Sequence, residues 1–245
     1  MSHKFDLGTF KYFDLAAKNG QTREWFEKNE DLYLEHVKKP MLNFVTGLWA
    51  EIDEELPGIE ISAKKILRPV KPINKIVPGD NAVKNYINVN FMEKENSRFE
   101  WNPGIYLQLS SVKDDNYVIV GLDRVTSRQL KLLRERFTVD YNRINSVLSG
   151  RKFKASWGEL KGERYSRFPR LYDENQPGAE YLWHKQCYVS QYFTRKEVMS
   201  PEFSRQLVED IKTVVPFLQW LRDTVGTVAP YLGNSRASAE MMMDW

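Results

Sequence analysis

Apolar residues recur three and four positions apart from Trp25, Phe26 and Tyr33 through Val37, Met41, Phe44, Val45, Leu48, Trp49 and Ile52, the spacing of a helix with one buried face. The stretch from Leu15 to Pro40 reads as the organising piece. A first helix, Phe5 to Lys18, turns Phe10, Phe13, Leu15 and Ala16 inward; Gly20 suits a left-handed cap, and Thr22 opens a long second helix. Pro40 lies inside that pattern and lacks a backbone donor, so a kink or a break near Lys38 is expected, and Pro57-Gly58 ends the helix.

After Pro57 the period becomes two. Ile59-Glu-Ile-Ser62, Tyr86 to Phe91, Gly104 to Ser110 and Tyr117 to Leu122 are predicted strands, with Asp114-Asp115-Asn116 as a hairpin turn. They predict an antiparallel meander with one face on the helices. Three prolines between Ile66 and Asp80 make that stretch an irregular loop. Ser127 to Leu148 is helical again, with Gly150 as its cap, and Tyr181 to Phe193 reads as helix then strand with no legible boundary between them. Ser200-Pro-Glu-Phe opens a final helix whose Phe203, Leu207, Ile211, Val214, Val215, Leu218 and Leu221 face inward. Trp25, Trp49 and Trp220 lie on apolar stripes and are assigned to the core. The fold class is therefore α+β: a single domain over 1–233, helices at both ends and in the middle packed on an antiparallel sheet, with 234–245 as a flexible tail.

A chain of 245 residues with 42% hydrophobic content builds a substantial core. Cys187 is the only cysteine, so no intramolecular disulfide forms, and no apolar run reaches the roughly 18 residues that span a bilayer. A cytoplasmic protein with no membrane partner is expected.

Net charge is only +3, but it is unevenly spread. Six basic residues stand between Lys64 and Lys84 against Asp80 alone, and seven stand between Gly150 and Arg170 against Glu159 and Glu163. Folded against each other, Arg68, Lys71, Lys75 and Lys84 with Arg164, Arg167 and Arg170 make a cleft for a phosphate- or carboxylate-bearing ligand, with Tyr165 and Phe168 available for stacking. The plain alternative is a pair of solvated loop faces. A small phosphorylated ligand fits the modest net charge better than a nucleic acid does. Carboxylates near the basic residues, Asp123, Glu159, Glu163 and Glu180, raise a second reading as a metal-assisted hydrolase of phosphate esters. A purely structural or protein-interaction module is a third. His184 and Cys187 sit at the spacing of a possible nucleophile pair, though a lone cysteine is more often a small buried hydrophobe. His3, His36 and His184 with one cysteine are too few for zinc. No cofactor and no oligomeric state follow from these residues.

Several landmarks resemble one family. Asn19-Gly20, Arg23-Glu24-Trp25-Phe26, Tyr33 and Pro40 open the pattern; Gly121, Leu130, Arg134, Gly158-Glu-Leu-Lys161, Arg167-Phe-Pro169 and Glu180-Tyr-Leu-Trp-His-Lys185 continue it. This order, from Phe10 to Leu221, is similar to the bacterial and fungal family called domain of unknown function 2461. The resemblance implies a single α+β domain and no particular activity. In place of that family's charged motif Arg-Asp-x-Arg-Phe-Ser-x-Asp-Lys-x-Pro-Tyr-Lys, this chain carries Arg68 to Lys84 with its basic residues kept and most acidic ones gone. Arg68 and Lys84 stand opposite the motif's first Arg and last Lys, and an altered function is implied if the motif is a ligand centre.

Overall fold

Asp6 begins the first helix, α1 (Leu7–Asn19): its carboxylate accepts the Thr9 amide at 3.1 Å while the Thr9 hydroxyl accepts the Asp6 amide. A computed structural model of the protein describes residues 5–52, 54–56, 59–61, 69–72, 75–93 and 102–225. Phe10, Tyr12, Phe13 and Ala16 are buried, but Leu15 is 40% exposed and lies off the inward stripe. Gly20 ends the helix at φ −81°, so its cap is not left-handed. Thr22 then caps α2 (Arg23–Lys28) as expected, accepting the Trp25 amide at 3.3 Å.

The expected interruption near Lys38 falls elsewhere. The chain breaks at Asn29 (φ −121°) and then runs through α3 (Glu30–Tyr33), a π-helical turn (Leu34–Lys38) and α4 (Lys39–Ile52) without leaving helical geometry. Pro40 has no N–H for the carbonyl of His36 four residues back; the Thr9 hydroxyl of α1 donates to that carbonyl instead, at 2.6 Å. A proline that sequence periodicity reads as a break is thus accommodated by a wider turn and a bond from a neighbouring helix.

Five strands follow in the order β1 (Ile59–Ile61), β2 (Tyr86–Glu93), β3 (Gly104–Ser110), β4 (Tyr117–Leu122) and β5 (Cys187–Tyr192), every neighbour antiparallel. The inner face presents Ile87, Val89, Phe91, Ile105, Leu107, Leu109, Val118, Val120, Leu122, Cys187 and Val189, all buried. Period-two alternation places Asn88, Asn90, Tyr106, Gln108, Tyr117, Ile119, Ser190 and Tyr192 on the outer face.

Ser127 to Leu148 forms two helices, α5 (Ser127–Val139) and α6 (Tyr141–Leu148), divided at Asp140. Gly150 does not end α6 but begins α7 (Arg151–Trp157), which ends at Gly158 with a positive φ of +72°. The ambiguous stretch after Gly178 contains α8 (Ala179–Leu182) and then β5; α9 (Arg195–Val198) leads to α10 (Phe203–Val225), with Pro201 two positions ahead of it. All seven residues assigned inward on α10 are buried, and this helix packs on α4, α5, α6, α7 and β4. The hub is therefore α10 rather than the Leu15 to Pro40 stretch. Trp220 is its centre, fully buried, 4.8 Å from the Phe137 ring, with its indole N–H donated to Asp140. Trp25 and Trp49 are only partly buried, whereas Trp157 is in the core, held by bonds to the Asp210 carbonyl and the Thr213 hydroxyl. The chain is a single α+β domain. No helix among the described residues is long and apolar enough to cross a membrane. The expected tail, Pro57-Gly58 and Arg68 lie outside the described residues.

Candidate functional site

The two basic strips meet the sheet from opposite ends. Lys84 stands two residues before Tyr86, which pairs with Ser110, on the end where Tyr117 meets Tyr192; Arg164 pairs with His184, beyond the end where Leu122 meets Cys187. Five residue steps along a strand and three strand spacings across already part Asn88 from Cys187 by roughly 20 Å, and Lys84 and Arg164 lie beyond those two ends. The first strip is also engaged locally. Val70 pairs with Val83, the Val83 amide donates to the Gly20 carbonyl at 2.9 Å, Lys71 is ion-paired to Asp80 at 3.0 Å, and the Lys84 ammonium lies 5.4 Å from the Tyr86 ring centre. Lys75 is exposed. The expected common cleft for Lys71, Lys75 and Lys84 with Arg164, Arg167 and Arg170 therefore does not form.

The second strip builds a site by itself. Residues 161–165 run beside 183–188: the Lys161 amide donates to Tyr188, the Lys185 amide to Glu163 and the Tyr165 amide to Trp183, each at 2.8 Å. Gly162 makes this approach close. At φ +122° a β-carbon there would lie 2.8 Å from Gln186 Oε1, the atom that accepts the Glu163 amide. Between this ribbon, α6, α7 and α8 opens a cleft of about 590 Å³ lined by Lys154, Lys161, Arg164, Glu159, Glu180, Tyr181 and His184, with Leu148 and Phe153 as its apolar part.

Three cations and two carboxylates thus line one cleft, and none of the three cations makes an ion pair among the described residues. Arg164 lies 5.6 Å from the Trp183 ring centre, which Phe168 supports edge-on. Tyr165 carries Arg134 at 4.8 Å and Lys185 at 5.5 Å, and Lys185 is bonded to Glu163, which holds its ammonium above the usual lysine range. Tyr181 donates to Asn145 Oδ1, and burial, then Glu180, pushes its phenol up to about 12.

His184 Nδ1 is shut away from water without a partner, while Nε2 is left to the cleft side. Burial first, then the Arg164 charge, pushes its pKa below the usual value against a smaller opposing pull from Glu159. The neutral form of the imidazole is therefore favoured. Cys187, three residues on, points into the apolar core and its thiol is raised far above the ordinary range, so it stands apart from His184 chemistry.

A family model described as "Conserved hypothetical protein (DUF2461)" matches residues 8–220. The chain belongs to this family. No curated protein and no solved structure matches it. Within this DUF2461 member, the Gly158 to Lys161 landmark is the cleft wall and Glu180 to Lys185 is the opposing edge. Arg167 and Arg170, also named from sequence, are exposed and outside the cleft lining. Of the described residues named from sequence as ligand groups only Arg164 lines the cleft; Lys154, Lys161, Asn145, Tyr181 and His184 are not among them and reach it through the packing of α6, α7, α8 and the 161–165 ribbon. Glu159, Glu180 and His184 share the cleft, yet no three His, Cys, Asp or Glu side chains among the described residues are placed to hold a metal ion.

Proposed function

We propose that this DUF2461 protein binds a small phosphate- or carboxylate-bearing ligand in the cleft between residues 158–164, α7 and α8. The observation that carries the reading is the convergence of Lys154, Lys161 and Arg164, without ion-pair partners among the described residues, on one hollow of about 590 Å³. That size is in the range of small-molecule sites. Arg164, stacked on Trp183, supplies a planar donor fork; the two lysines add mobile point charges, and the neutral His184 adds a hydrogen-bonding group without further charge. Glu159 and Glu180 in the wall repel a long polyanion, which favours a compact ligand over nucleic acid.

Titration calorimetry with inorganic phosphate and with citrate tests this. Arg164→Ala is expected to weaken whichever anion binds by roughly tenfold or more, the loss of one charge-assisted contact, while Lys84→Ala leaves it unchanged. Equal affinities for wild type and Arg164→Ala, or no heat with either anion, would refute the assignment. A small ligand also gives a shallow salt dependence; a steep one marks a polyanion instead.

A further inference from the structure

On the opposite, outer face of the sheet, the cross-strand pair Gly104 and Gly121 leaves a gap in the layer of side chains, and a second hollow of about 230 Å³ lies there. Gly121 cannot be enlarged: at φ +125° a β-carbon would come within 2.5 Å of the Cys187 carbonyl oxygen. Tyr106 forms one wall. Its ring is stacked on Tyr117 at 5.7 Å, and Tyr117 is not part of the hollow, so the remaining side of the Tyr106 ring borders the gap. Its hydroxyl is fixed between Asn88 and Gln108, accepting from the first at 2.9 Å and donating to the second at 2.6 Å, which holds the ring in place. Two side-chain amides line the hollow as well, together with Ile119, Asp123 and Arg124. The Asn90 side chain makes no hydrogen bond among the described residues, and Asn102, only 6% exposed, has both its Oδ1 and its Nδ2 buried without a partner.

A buried amide with neither atom bonded is costly, and such groups persist where something absent from the resting molecule pairs with them. An amide offers an acceptor and a donor side by side, so its complement is an edge that carries N–H next to C=O. A flat ring wall beside a bare glycine floor favours a planar ligand. We propose that this hollow receives a planar ring bearing such an edge, stacked on Tyr106, with Asn102 turning its amide onto the edge and Asn90 bonding the remaining polar atom. Pyrimidine bases and aromatic carboxamides share that chemistry. The hollow lies on the other face of the sheet from the cationic cleft and stands or falls separately from it.

Uracil and nicotinamide, titrated into the full chain and followed by the side-chain amide signals in ¹H–¹⁵N spectra, serve as probes. At least one is expected to shift the Asn102 amide signals, and its N-methylated counterpart (1,3-dimethyluracil or N,N-dimethylnicotinamide), lacking the N–H, is expected to bind at least tenfold more weakly. Uracil alone binding identifies a base, and nicotinamide alone a carboxamide. Asn102→Leu removes an amide that bonds nothing in the fold, so it is expected to keep or raise the melting temperature while abolishing the shifts at the other wall residues. Tyr106→Leu is expected to weaken binding as well. Silence toward both probes, equal binding of the methylated analogues, undiminished binding by Asn102→Leu, or a lowered melting temperature in that variant would each overturn the proposal.

Discussion

His184 presents one ring nitrogen to the cleft and has the other sealed without a partner, so protonation would bury an unpaired N–H beside Arg164. Its folded pKa is depressed, so the unfolded chain binds the proton first. Stability is therefore expected to fall as pH drops through the unfolded value of 6.5 toward the lower folded one, and to be insensitive to this residue above it. Thermal melts between pH 7.5 and 5 check this, and His184→Gln should flatten that portion of the curve. Glu24 and Glu197, whose carboxylates are held below the usual range chiefly by backbone amide hydrogen bonds, lose their contribution only at lower pH, so the two windows separate. The role of His184 was hidden in the sequence. Its three-residue spacing from Cys187 suggests a pair, but β5 turns the thiol into the core while the histidine precedes the strand.

Helices and strands were legible wherever one face is buried, because burial imprints a period. The four-strand meander and the inward stripe of α10 follow from alternation alone. Residues 161–165, Lys-Gly-Glu-Arg-Tyr, have no such stripe, since the ribbon covers an edge and is held by backbone pairing to 183–188. Gly162→Ala tests that pairing: with φ +122° and the close Gln186 contact it is expected to destabilise by about 1–3 kcal/mol and to weaken anion binding in the same calorimetric titration. The π-helical turn was equally illegible, because its stabilising partner lies on another helix. Thr9→Val leaves the His36 carbonyl with neither Pro40 nor a hydroxyl as donor, and is expected to lower stability by about 1–3 kcal/mol in denaturant unfolding.

At the scale of the molecule, α10 gathers four helices and β4 into one core, and the five-stranded sheet decides which loops share an end. Strands three steps apart in an antiparallel meander run in opposite directions, so whatever precedes β2 and whatever precedes β5 enter at opposite ends. Charge counting found both basic strips, yet it could not place the fifth strand, Cys187 to Tyr192, whose boundary with the preceding helix and whose pairing with β4 are not written in the sequence. The strip carrying Arg164 lines a hollow, and the proposed anion binding is assigned to that strip. The most direct measurement is an anomalous difference map from crystals soaked in selenate. A selenium peak in the cleft, within hydrogen-bond reach of Arg164 and Lys161, is expected; peaks confined to the Lys75 and Lys84 end of the sheet, or no peak in the cleft, would contradict it.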